Sequence, residues 1–424
     1  MISSLFKAMP FRIFTGSWSA GHLLPATIDP PTNVSEAGLY LHVPFCRSLC
    51  PFCPYNRQRF TSCAFAVFER AVHREIDRYA ESSQHCRITS LYVGGGTPTL
   101  DREGFLRILR YIRARFPGDY PVAVELHPHV ADPQALNELQ EAGVSQVSIG
   151  VQSLDDRELQ QIGRNHNAAA GRTALRNALA AGFNGVNVDL MFALPGQTDD
   201  SWYRTITETL EMGADEISTY PMFSFPYAQP ARQRENSSHR APEGVLHRRL
   251  NLVCSVAEHM GLQRSSVWTW TRPTKARFSS VTRNRYIGLG PGAASMTGDC
   301  FYVNTFSVAA YAESVVSRLP VALVLQGPPR LDRTYWLYWS LYALHISREE
   351  FAHSYPGLDL DHEFGRPLRA MHALGLLHRV PAGYEVTHSG AYWIHRIQNA
   401  YSLHYLEHVW GACRREAWPQ EVAL

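Results

Sequence analysis

Between Leu39 and Phe223, short apolar runs alternate with longer stretches in which apolar residues recur every three or four positions. The short runs predict strands at 39–43, 90–94, 122–126, 146–151, 186–192 and 216–222. The longer stretches predict helices at about 62–81, 101–115, 133–142, 155–181 (broken near Gly163) and 199–212. Strands alternating with helices indicate parallel βαβ units. Six units fit either a doubly wound sheet or a complete or partial barrel.

The pattern changes after residue 227. A polar stretch at 228–242 predicts a loop, and a helix is predicted at about 243–260. From about 328 an aromatic-rich helical segment leads to a glycine-turned hairpin at 383–390, which resembles a small winged-helix-like module. We expect four parts, an N-terminal extension (1–36), a barrel (37–230), an accessory, substrate-lining segment (231–327) and a C-terminal domain (328–424). The last is expected to close the open edge of the barrel.

Composition narrows the class of protein. The 424 residues are 45% hydrophobic and 18% charged, which is typical of a globular chain and excludes a disordered or fibrous one. Forty basic and 38 acidic residues give a net charge of +2, so no nucleic-acid partner is expected. No apolar run reaches the length of a membrane span, and residues 1–19 lack the apolar core of a signal peptide. We expect a cytoplasmic monomer without a membrane partner.

Three of the eight cysteines lie within eight residues, directly after a predicted strand. They are Cys46, Cys50 and Cys53. Thiolates separated by three and then two residues can hold three irons of a 4Fe–4S cluster and leave the fourth iron open. Structural zinc usually takes four ligands from two knuckles, and the sequence has no second knuckle. The loop also stands at the carboxyl end of a strand, where α/β folds place their active sites.

This cysteine spacing, with Phe52 before the last cysteine, resembles the radical S-adenosylmethionine (radical SAM) superfamily. The ordered motifs YLHVPFC, GGGTP, GVQS and NVDLMFALPGQT resemble the HemN-like branch, the oxygen-independent coproporphyrinogen III oxidases and their relatives, over roughly residues 38–300. The resemblance implies an α/β fold, a partial (β/α)6 TIM-type barrel with an accessory segment and a small winged-helix-like C-terminal domain. It implies that Cys46, Cys50 and Cys53 hold a 4Fe–4S cluster whose open iron binds SAM, which is cleaved to a 5′-deoxyadenosyl radical.

The resemblance also implies the residues that bind SAM. They are Tyr40, Phe52, Gly94, Gly95, Gly96, Thr97, Glu125, Gln152, Arg164, Asp189, Phe192, Ala193 and Leu194. Tyr40 and Tyr220 are the candidate catalytic residues. Glycines let a backbone approach a ligand closely, carboxylates suit ribose hydroxyls or an ammonium, and arginine suits a carboxylate. A structural ion pair inside the barrel is the alternative for the charged members.

Several other residues have open roles. Four histidines are candidate proton donors or structural residues: His42, His127, His129 and His166. Four tryptophans are candidates either to line the pocket of a flat substrate or to pack in the core: Trp268, Trp270, Trp336 and Trp339. The glycine-rich run Tyr286–Ser295 lacks the strand–helix context of a dinucleotide site, and the resemblance implies a loop near a second SAM or the substrate.

Three functions remain open. The first is a class C radical SAM methyltransferase, which uses two SAM molecules to transfer a methyl or methylene group to an sp² carbon of a natural product, cyclopropanation included; residues 265–295 resemble this group most. The second is oxidative decarboxylation of a porphyrinogen, with Arg232, Arg234 and Arg272 as candidates for its propionates. The third is a heme-binding chaperone without radical turnover. Gln146, His127 and the run Pro54-Tyr55-Asn56 depart from the pattern of the porphyrinogen oxidases and weaken the second. The partners expected are a small-molecule substrate and an electron donor such as flavodoxin or ferredoxin.

Replacing Cys50 by alanine removes one of the three predicted iron ligands. After anaerobic reconstitution, C50A is expected to hold less iron than the wild type and to form no 5′-deoxyadenosine from SAM with dithionite. Cys63 stands outside the loop, so C63A is the matched control and should keep both properties. Full iron content and SAM cleavage in C50A would refute the cluster assignment.

Overall fold

The computed structural model describes residues 22–82, 85–223, 241–275, 285–298, 300–326 and 330–423. The strands are β1 (His22–Leu23), β2 (Glu36–Val43), β3 (Phe45–Cys46), β4 (Gln58–Arg59), β5 (Arg87–Gly95), β6 (Val122–Leu126), β7 (Gln146–Gln152), β8 (Gly185–Phe192), β9 (Glu216–Pro221), β10 (Gln263–Arg264), β11 (Thr269–Thr271), β12 (Tyr286–Leu289), β13 (Ala294–Met296), β14 (Cys300–Asn304), β15 (Val321–Gln326), β16 (His345–Ser347), β17 (Leu377–Val380), β18 (Gly383–Val386) and β19 (Val422–Ala423).

The helices are α1 (Ser62–Ser82), α2 (Arg102–Arg115), α3 (Pro133–Glu141), α4 (Asp156–Gln161), α5 (Ala168–Ala180), α6 (Asp199–Glu211), α7 (Glu243–His259), α8 (Val308–Ser314), α9 (Leu331–Tyr342), α10 (Arg348–Ser354), α11 (Leu360–Ala373), α12 (His388–Tyr405) and α13 (Gly411–Arg415). A 3₁₀ turn spans Pro128–Val130, and a π-helical turn spans Leu406–Trp410.

Six parallel strands form the centre of the molecule. They pair in the order β2-β5-β6-β7-β8-β9, which is also their order along the chain. A doubly wound sheet would reverse this order at a switch point, so the structure is consistent with a partial barrel. Nearly all residues of these strands are buried, as is expected when both faces of a sheet are covered. The six predicted strands are confirmed, and the break in the predicted helix 155–181 separates α4 from α5, with Gly163 at φ 71°.

Local signals explain where the helices begin and end. Asp101 caps α2 by accepting a hydrogen bond from the Gly104 amide, and Asp132 caps α3 in the same way through the Ala135 amide. Thr198 opens α6 with a capping box. These caps fix the starts of the helices that follow β5, β6 and β8. They therefore hold in place the loops at the carboxyl ends of these strands.

The accessory segment extends both edges of the central sheet. Strand β11 pairs antiparallel with β9, and β12 pairs parallel with β2 before β13, β14 and β15 continue antiparallel. Strands of this segment therefore lie at both edges of the six parallel strands. That the C-terminal domain closes the open edge of the barrel stays a prediction. The glycine-rich run Tyr286–Ser295 is a strand–turn–strand unit, which agrees with rejecting a dinucleotide site.

The C-terminal part has its own core. Helices α9, α10 and α11 pack with the three-stranded sheet β16-β18-β17 around buried residues such as Trp336, Phe351 and Tyr384. The hairpin consists of β17 and β18, so it lies earlier than the predicted 383–390, of which residues 388–390 belong to α12. The helices and the hairpin together still match the winged-helix-like module that was expected. The boundaries of the four predicted parts stay predictions. Within the described ranges, no helix combines the length and the apolar character needed to cross a membrane.

A buried carboxylate joins the first helix to the far strands. Glu75 of α1 is completely buried and accepts hydrogen bonds from the Gly290 amide (2.7 Å), Asn304 Nδ2 (2.7 Å) and the Tyr311 hydroxyl (2.5 Å). Burial raises the pKa of Glu75 to about 7, although these donors oppose the shift. This carboxylate therefore holds the turn after β12 against α1.

The raised pKa makes stability depend on pH. Because the folded chain binds this proton more tightly than the unfolded chain, the contribution of Glu75 is full below about pH 4.5 and is lost as the pH rises to about 7. In urea unfolding experiments, the free energy of unfolding of the wild type should fall as the pH rises over this interval. The part of the fall that is due to Glu75 should be no more than about 3 kcal/mol. E75Q should lack this component, whereas E81Q, which alters an exposed carboxylate on the same helix, should retain it. Equal pH slopes in wild type and E75Q would contradict the assignment.

Candidate functional site

The carboxyl ends of the parallel strands open into a cavity of about 440 Å³. Twelve residues selected from the sequence line it: Cys46, Cys50, Phe52, Cys53, Gly95, Gly96, Thr97, Glu125, Gln152, Arg164, Asp189 and Tyr220. They come from the loops or ends of six different strands. The fold therefore brings most of the predicted site to one place.

The cysteine loop is held at both ends and in its middle. Strands β3 and β4 pair across its base, with Cys46 opposite Arg59. Inside the loop, Arg57 Nη2 donates to the Cys50 carbonyl at 2.6 Å, and the Cys53 amide donates to the same oxygen at 3.2 Å. Arg164 Nη1 lies 3.5 Å from Cys50 Sγ. The three thiols are thus presented to the cavity by a loop with a defined backbone.

The donor set fits a 4Fe–4S cluster. All three cysteines are free thiols that line the cavity. Structural zinc takes four ligands, whereas three cysteines match a cluster whose fourth iron is open. Arg47, Arg57 and Arg164 line the same half of the cavity and supply positive charge beside the thiols. Burial raises the pKa of the Cys46 thiol to about 12, so iron binding would displace a proton there.

The turn after β5 has no room for side chains. A Cβ on Gly94 would lie 2.7 Å from the Glu125 carboxyl carbon, and one on Gly96 would lie 2.4 Å from the Phe45 carbonyl oxygen. Gly95 has φ 108°, a conformation that L side chains rarely adopt. The Glu125 carboxylate accepts hydrogen bonds from the Tyr92 hydroxyl at 2.5 Å and from the Gly95 amide at 3.1 Å. The glycines therefore let the turn pack tightly between the cysteine loop and the third strand of the barrel.

Two half-buried carboxylates line the cavity. Burial raises the pKa of Glu125, and burial together with the charge of Glu125 raises the pKa of Asp189 to about 7. Hydrogen bonds from Ser148 and Asn187 and the charge of Arg164 oppose the shift of Asp189. A bound cation or hydroxyl donor would stabilise the charged forms, which suits the ammonium and ribose of SAM.

Backbone strain occurs at two of the predicted SAM residues. Within the described ranges, three non-glycine residues have positive φ, and two of them are Gln152 (71°) and Ala193 (59°). They stand at the carboxyl ends of β7 and β8, the third being Leu344 in the C-terminal part. Strain of this kind concentrates at functional sites, where the surrounding structure holds it in place.

Five predicted residues do not line the cavity: Tyr40, Gly94, Phe192, Ala193 and Leu194. Tyr40 lies behind the lining residue Tyr92, at 6.1 Å between ring centroids, and its hydroxyl is 2.7 Å from His42 Nδ1. Phe192 packs between Trp202 and Trp268 in the core. The roles of these residues, and that of Tyr220, stay predictions.

The candidate proton donors are neutral imidazoles. Burial lowers the pKa of His42 to about 4, and burial with the charge of Arg164 lowers the pKa of His127 to about 2 and of His166 to about 3. His42 and His166 each use one ring nitrogen to contact a backbone carbonyl, at 2.8 and 3.1 Å. These contacts favour structural roles for both. His127 and His129 line the cavity.

The half of the cavity away from the cysteine loop, called the aromatic half below, is lined mainly by aromatic side chains. The sequence predicted only some of these residues. Trp268 and Trp339 line it, whereas Trp270 and Trp336 are core residues. The residues not anticipated there are Tyr338, Tyr342, His395, Asn399, Leu403, Leu406 and Trp410. They come from α9, α12 and the π-helical turn, far along the chain from the motifs. In the barrel, Asn187 and Asp189 alternate within an apolar strand, a period-two polar signal that does mark inward-facing positions.

Two further expectations need correction. Arg272, a candidate for propionates, donates instead to the Ala214 and Leu210 carbonyls and does not line the cavity; Arg232 and Arg234 lie outside the described residues. The glycine-rich run Tyr286–Ser295 was expected near a second SAM or the substrate. It does not line the cavity either, because it packs behind the cysteine loop.

Comparisons with known proteins identify the family of this chain. Residues 40–208 match the family model for the radical SAM superfamily. Over 296 residues the chain is 30% identical to the heme chaperone HemW of Mycobacterium tuberculosis, covering 67% of this chain and 76% of that protein. This chain belongs to the radical SAM superfamily. It is also 27% identical over 334 residues to the oxygen-independent coproporphyrinogen III oxidase of Cereibacter sphaeroides, covering 73% of each, which places this radical SAM chain in the HemN-like branch.

The solved structure of coproporphyrinogen III oxidase (HemN) from Escherichia coli has the same fold. The TM-score is 0.72 at 22% identity, with 87% of this chain and 90% of that chain covered. The predicted fold is confirmed. Membership of the radical SAM superfamily implies a 4Fe–4S cluster and SAM, with Cys46, Cys50 and Cys53 as the cluster ligands that the structure offers.

Arg164 provides a test of the predicted SAM site. Its guanidinium contacts the Gly150 carbonyl and Cys50 Sγ, and we expect it to hold the SAM carboxylate. A lysine cannot reproduce this forked geometry, so R164K should bind SAM about tenfold more weakly in equilibrium dialysis of the reconstituted protein. R157K, at an exposed position on α4, is the control. An unchanged dissociation constant in R164K would remove Arg164 from the SAM site.

Proposed function

We propose that this protein is a radical SAM enzyme that acts on a tetrapyrrole, and that its reaction is the oxygen-independent oxidative decarboxylation of a porphyrinogen. The observation that carries the proposal is the continuity of one cavity from the cysteine loop to an aromatic wall. Its two halves meet at Tyr55, whose ring contacts Trp410 at a centroid distance of 5.8 Å. A substrate on the aromatic side would lie beside the radical source.

The lining of the far half suits a large flat molecule. Seven aromatic side chains line it, with Leu403 and Leu406 beside them: Tyr220, Phe223, Trp268, Tyr338, Trp339, Tyr342 and Trp410. Ring faces and aliphatic side chains bind an apolar macrocycle by burial and dispersion. The names of both curated relatives, a heme chaperone and a coproporphyrinogen III oxidase, refer to tetrapyrroles.

The chemistry divides between the cofactors and the chain. When bound, the cluster and SAM supply a 5′-deoxyadenosyl radical that removes a hydrogen atom from the substrate. For decarboxylation, a propionate side chain loses that hydrogen atom, then carbon dioxide and one electron, and becomes a vinyl group. The electron requires a one-electron acceptor. The chain's own part is to hold SAM through Glu125, Asp189 and Arg164 and to keep water away from the reacting carbon with the aromatic wall.

A heme chaperone is the second candidate. The similarity to HemW favours it, and so does His129, an exposed imidazole at the cluster half of the cavity that offers a ligand to heme iron. His395 is less suited to that role, because its Nε2 already accepts a hydrogen bond from the Trp268 indole at 3.1 Å.

Methyl or methylene transfer, the first expectation from the sequence, gains no support from these relatives. It would require a second SAM molecule in the aromatic half of the cavity. It stays a prediction, and the same experiment tests it.

The test uses anaerobically reconstituted protein with dithionite and SAM that carries a trideuterated methyl group. Coproporphyrinogen III is expected to stimulate the formation of unlabelled 5′-deoxyadenosine and to yield a decarboxylated vinyl product, both measured by mass spectrometry. C50A should show neither.

Other outcomes identify the other functions. Deuterated 5′-deoxyadenosine together with S-adenosylhomocysteine would replace the proposal by methyl or methylene transfer. Stoichiometric heme binding without any porphyrinogen-dependent 5′-deoxyadenosine would replace it by the chaperone function, and H129A should then weaken heme binding.

A further inference from the structure

A buried arginine lies inside the cysteine loop without a carboxylate to balance its charge. Arg57 is 8% exposed, and among the described residues it forms no ion pair. Arg249, the other buried arginine in the described ranges, pairs with Asp199 at 3.0 Å. An unpaired buried charge is costly, so proteins usually supply a partner for it. The counter-charge of Arg57 is therefore not one of the described side chains.

The contacts of Arg57 are with neutral groups of the loop. Its Nη2 donates to the Cys50 carbonyl at 2.6 Å, and its Nη1 donates to the Tyr55 carbonyl at 3.2 Å. Its Nε is buried and has no hydrogen-bond partner in the described structure. Peptide oxygens carry only partial charges, so these contacts hold the guanidinium in place without neutralising it.

The charge of Arg57 acts on the sulfurs of the loop. Burial raises the pKa of the Cys46 thiol to about 12 and also raises that of the Cys53 thiol. The charge of Arg57 opposes both shifts. Together with the contact at the Cys50 carbonyl, this puts the guanidinium beside all three predicted iron ligands.

The predicted cluster would supply the missing counter-charge. Three thiolates outweigh the charge of the oxidised iron–sulfur core, so the ligated cluster is an anion, and reduction makes it more negative. The net charge near a cluster is one of the factors that set its reduction potential. A fixed cation in the protein interior is screened little by water and therefore stabilises the reduced state more than the oxidised state.

The other two arginines of this half of the cavity are less suited to this role. Arg47 is exposed, so solvent screens its charge. Arg164 Nη1 lies 3.5 Å from Cys50 Sγ, but this guanidinium is predicted to hold the SAM carboxylate, which would balance it. Arg57 is thus the cation whose charge remains available to the cluster when SAM binds.

We propose that Arg57 is the built-in counter-ion of the iron–sulfur cluster, and that its charge raises the reduction potential of the cluster. Arg57 acts through its electric field and is not a catalytic residue. The inference goes beyond the proposed function, because it concerns the cluster and holds for any substrate.

Three variants separate the charge of Arg57 from its hydrogen bonds. R57M removes the charge and keeps a long side chain, whereas R57K keeps the charge but cannot reproduce the forked contacts of the guanidinium. R59M is the matched control. Arg59 pairs opposite Cys46 between β3 and β4, but its side chain is exposed, so its charge should act only weakly on the cluster.

The measurement is a redox titration of the anaerobically reconstituted proteins, monitored by electron paramagnetic resonance without SAM or substrate, together with iron content. In R57M, the equilibrium constant for one-electron reduction should be about tenfold lower than in the wild type, a potential lower by about 59 mV. R57K and R59M should stay within about threefold of the wild type. The effect in R57M should persist at about 1 M salt, where exposed charges are screened.

Each outcome decides the inference. Loss of iron in R57M with retention in R57K would also support it, because the charge alone differs in the expected way. Loss of iron in both variants, or an equal fall in potential in both, would reduce Arg57 to an anchor of the loop and overturn the inference. A wild-type potential in R57M, or an equal fall in R59M, would overturn it as well. None of these results depends on turnover of a porphyrinogen, so the proposed function is tested separately.

Discussion

The register between the first two barrel strands is the constraint on which the site depends. Val43 pairs with Gly95 at the ends of β2 and β5, so the cysteine loop and the glycine turn leave the sheet at the same level. The Gly96 amide then donates to the Val43 carbonyl at 2.8 Å, and the Thr97 amide donates to the Phe45 carbonyl at 2.7 Å. Because these contacts are between backbone atoms, the sheet itself sets the position of the three cysteines relative to the glycine turn that is predicted to bind SAM.

Charge is distributed along the cavity in a way that follows from this arrangement. Thiols, carboxylates and arginines share the cluster half, where Glu125 and Asp189 have raised pKa values that a cation or hydroxyl donors would lower. The aromatic half is lined, among the described residues, by neutral and mostly apolar side chains. A charged cofactor would therefore suit the first half, and a mostly apolar substrate the second. The transition between the two lies at the contact of Tyr55 with Trp410.

The sequence predicted the barrel well because its signals are local. Each parallel strand is a short apolar run, each helix has its own period, and the motifs stand at strand ends. The edge strands β11 and β12 were not predicted, since they have only three and four residues and are defined by partners distant in sequence. His395 and Trp410 were missed for a related reason. Which face of α12 and its π-helical end meets the barrel is decided by packing against elements far along the chain, and no motif records it.

Asn56 shows how a departure from a family pattern can have a structural cause. By sequence alone, the run Pro54-Tyr55-Asn56 departs from the porphyrinogen oxidases and disfavours porphyrinogen chemistry. In the structure, Asn56 Nδ2 donates to the Pro291 and Phe306 carbonyls at 2.9 Å each, and its own carbonyl lies 2.8 Å from His42 Nε2. These bonds tie the end of the cysteine loop to the turn after β12, which Glu75 holds from the other side through Gly290. Asn56 therefore belongs to the frame behind the loop and does not face the substrate, so its identity does not argue against a tetrapyrrole.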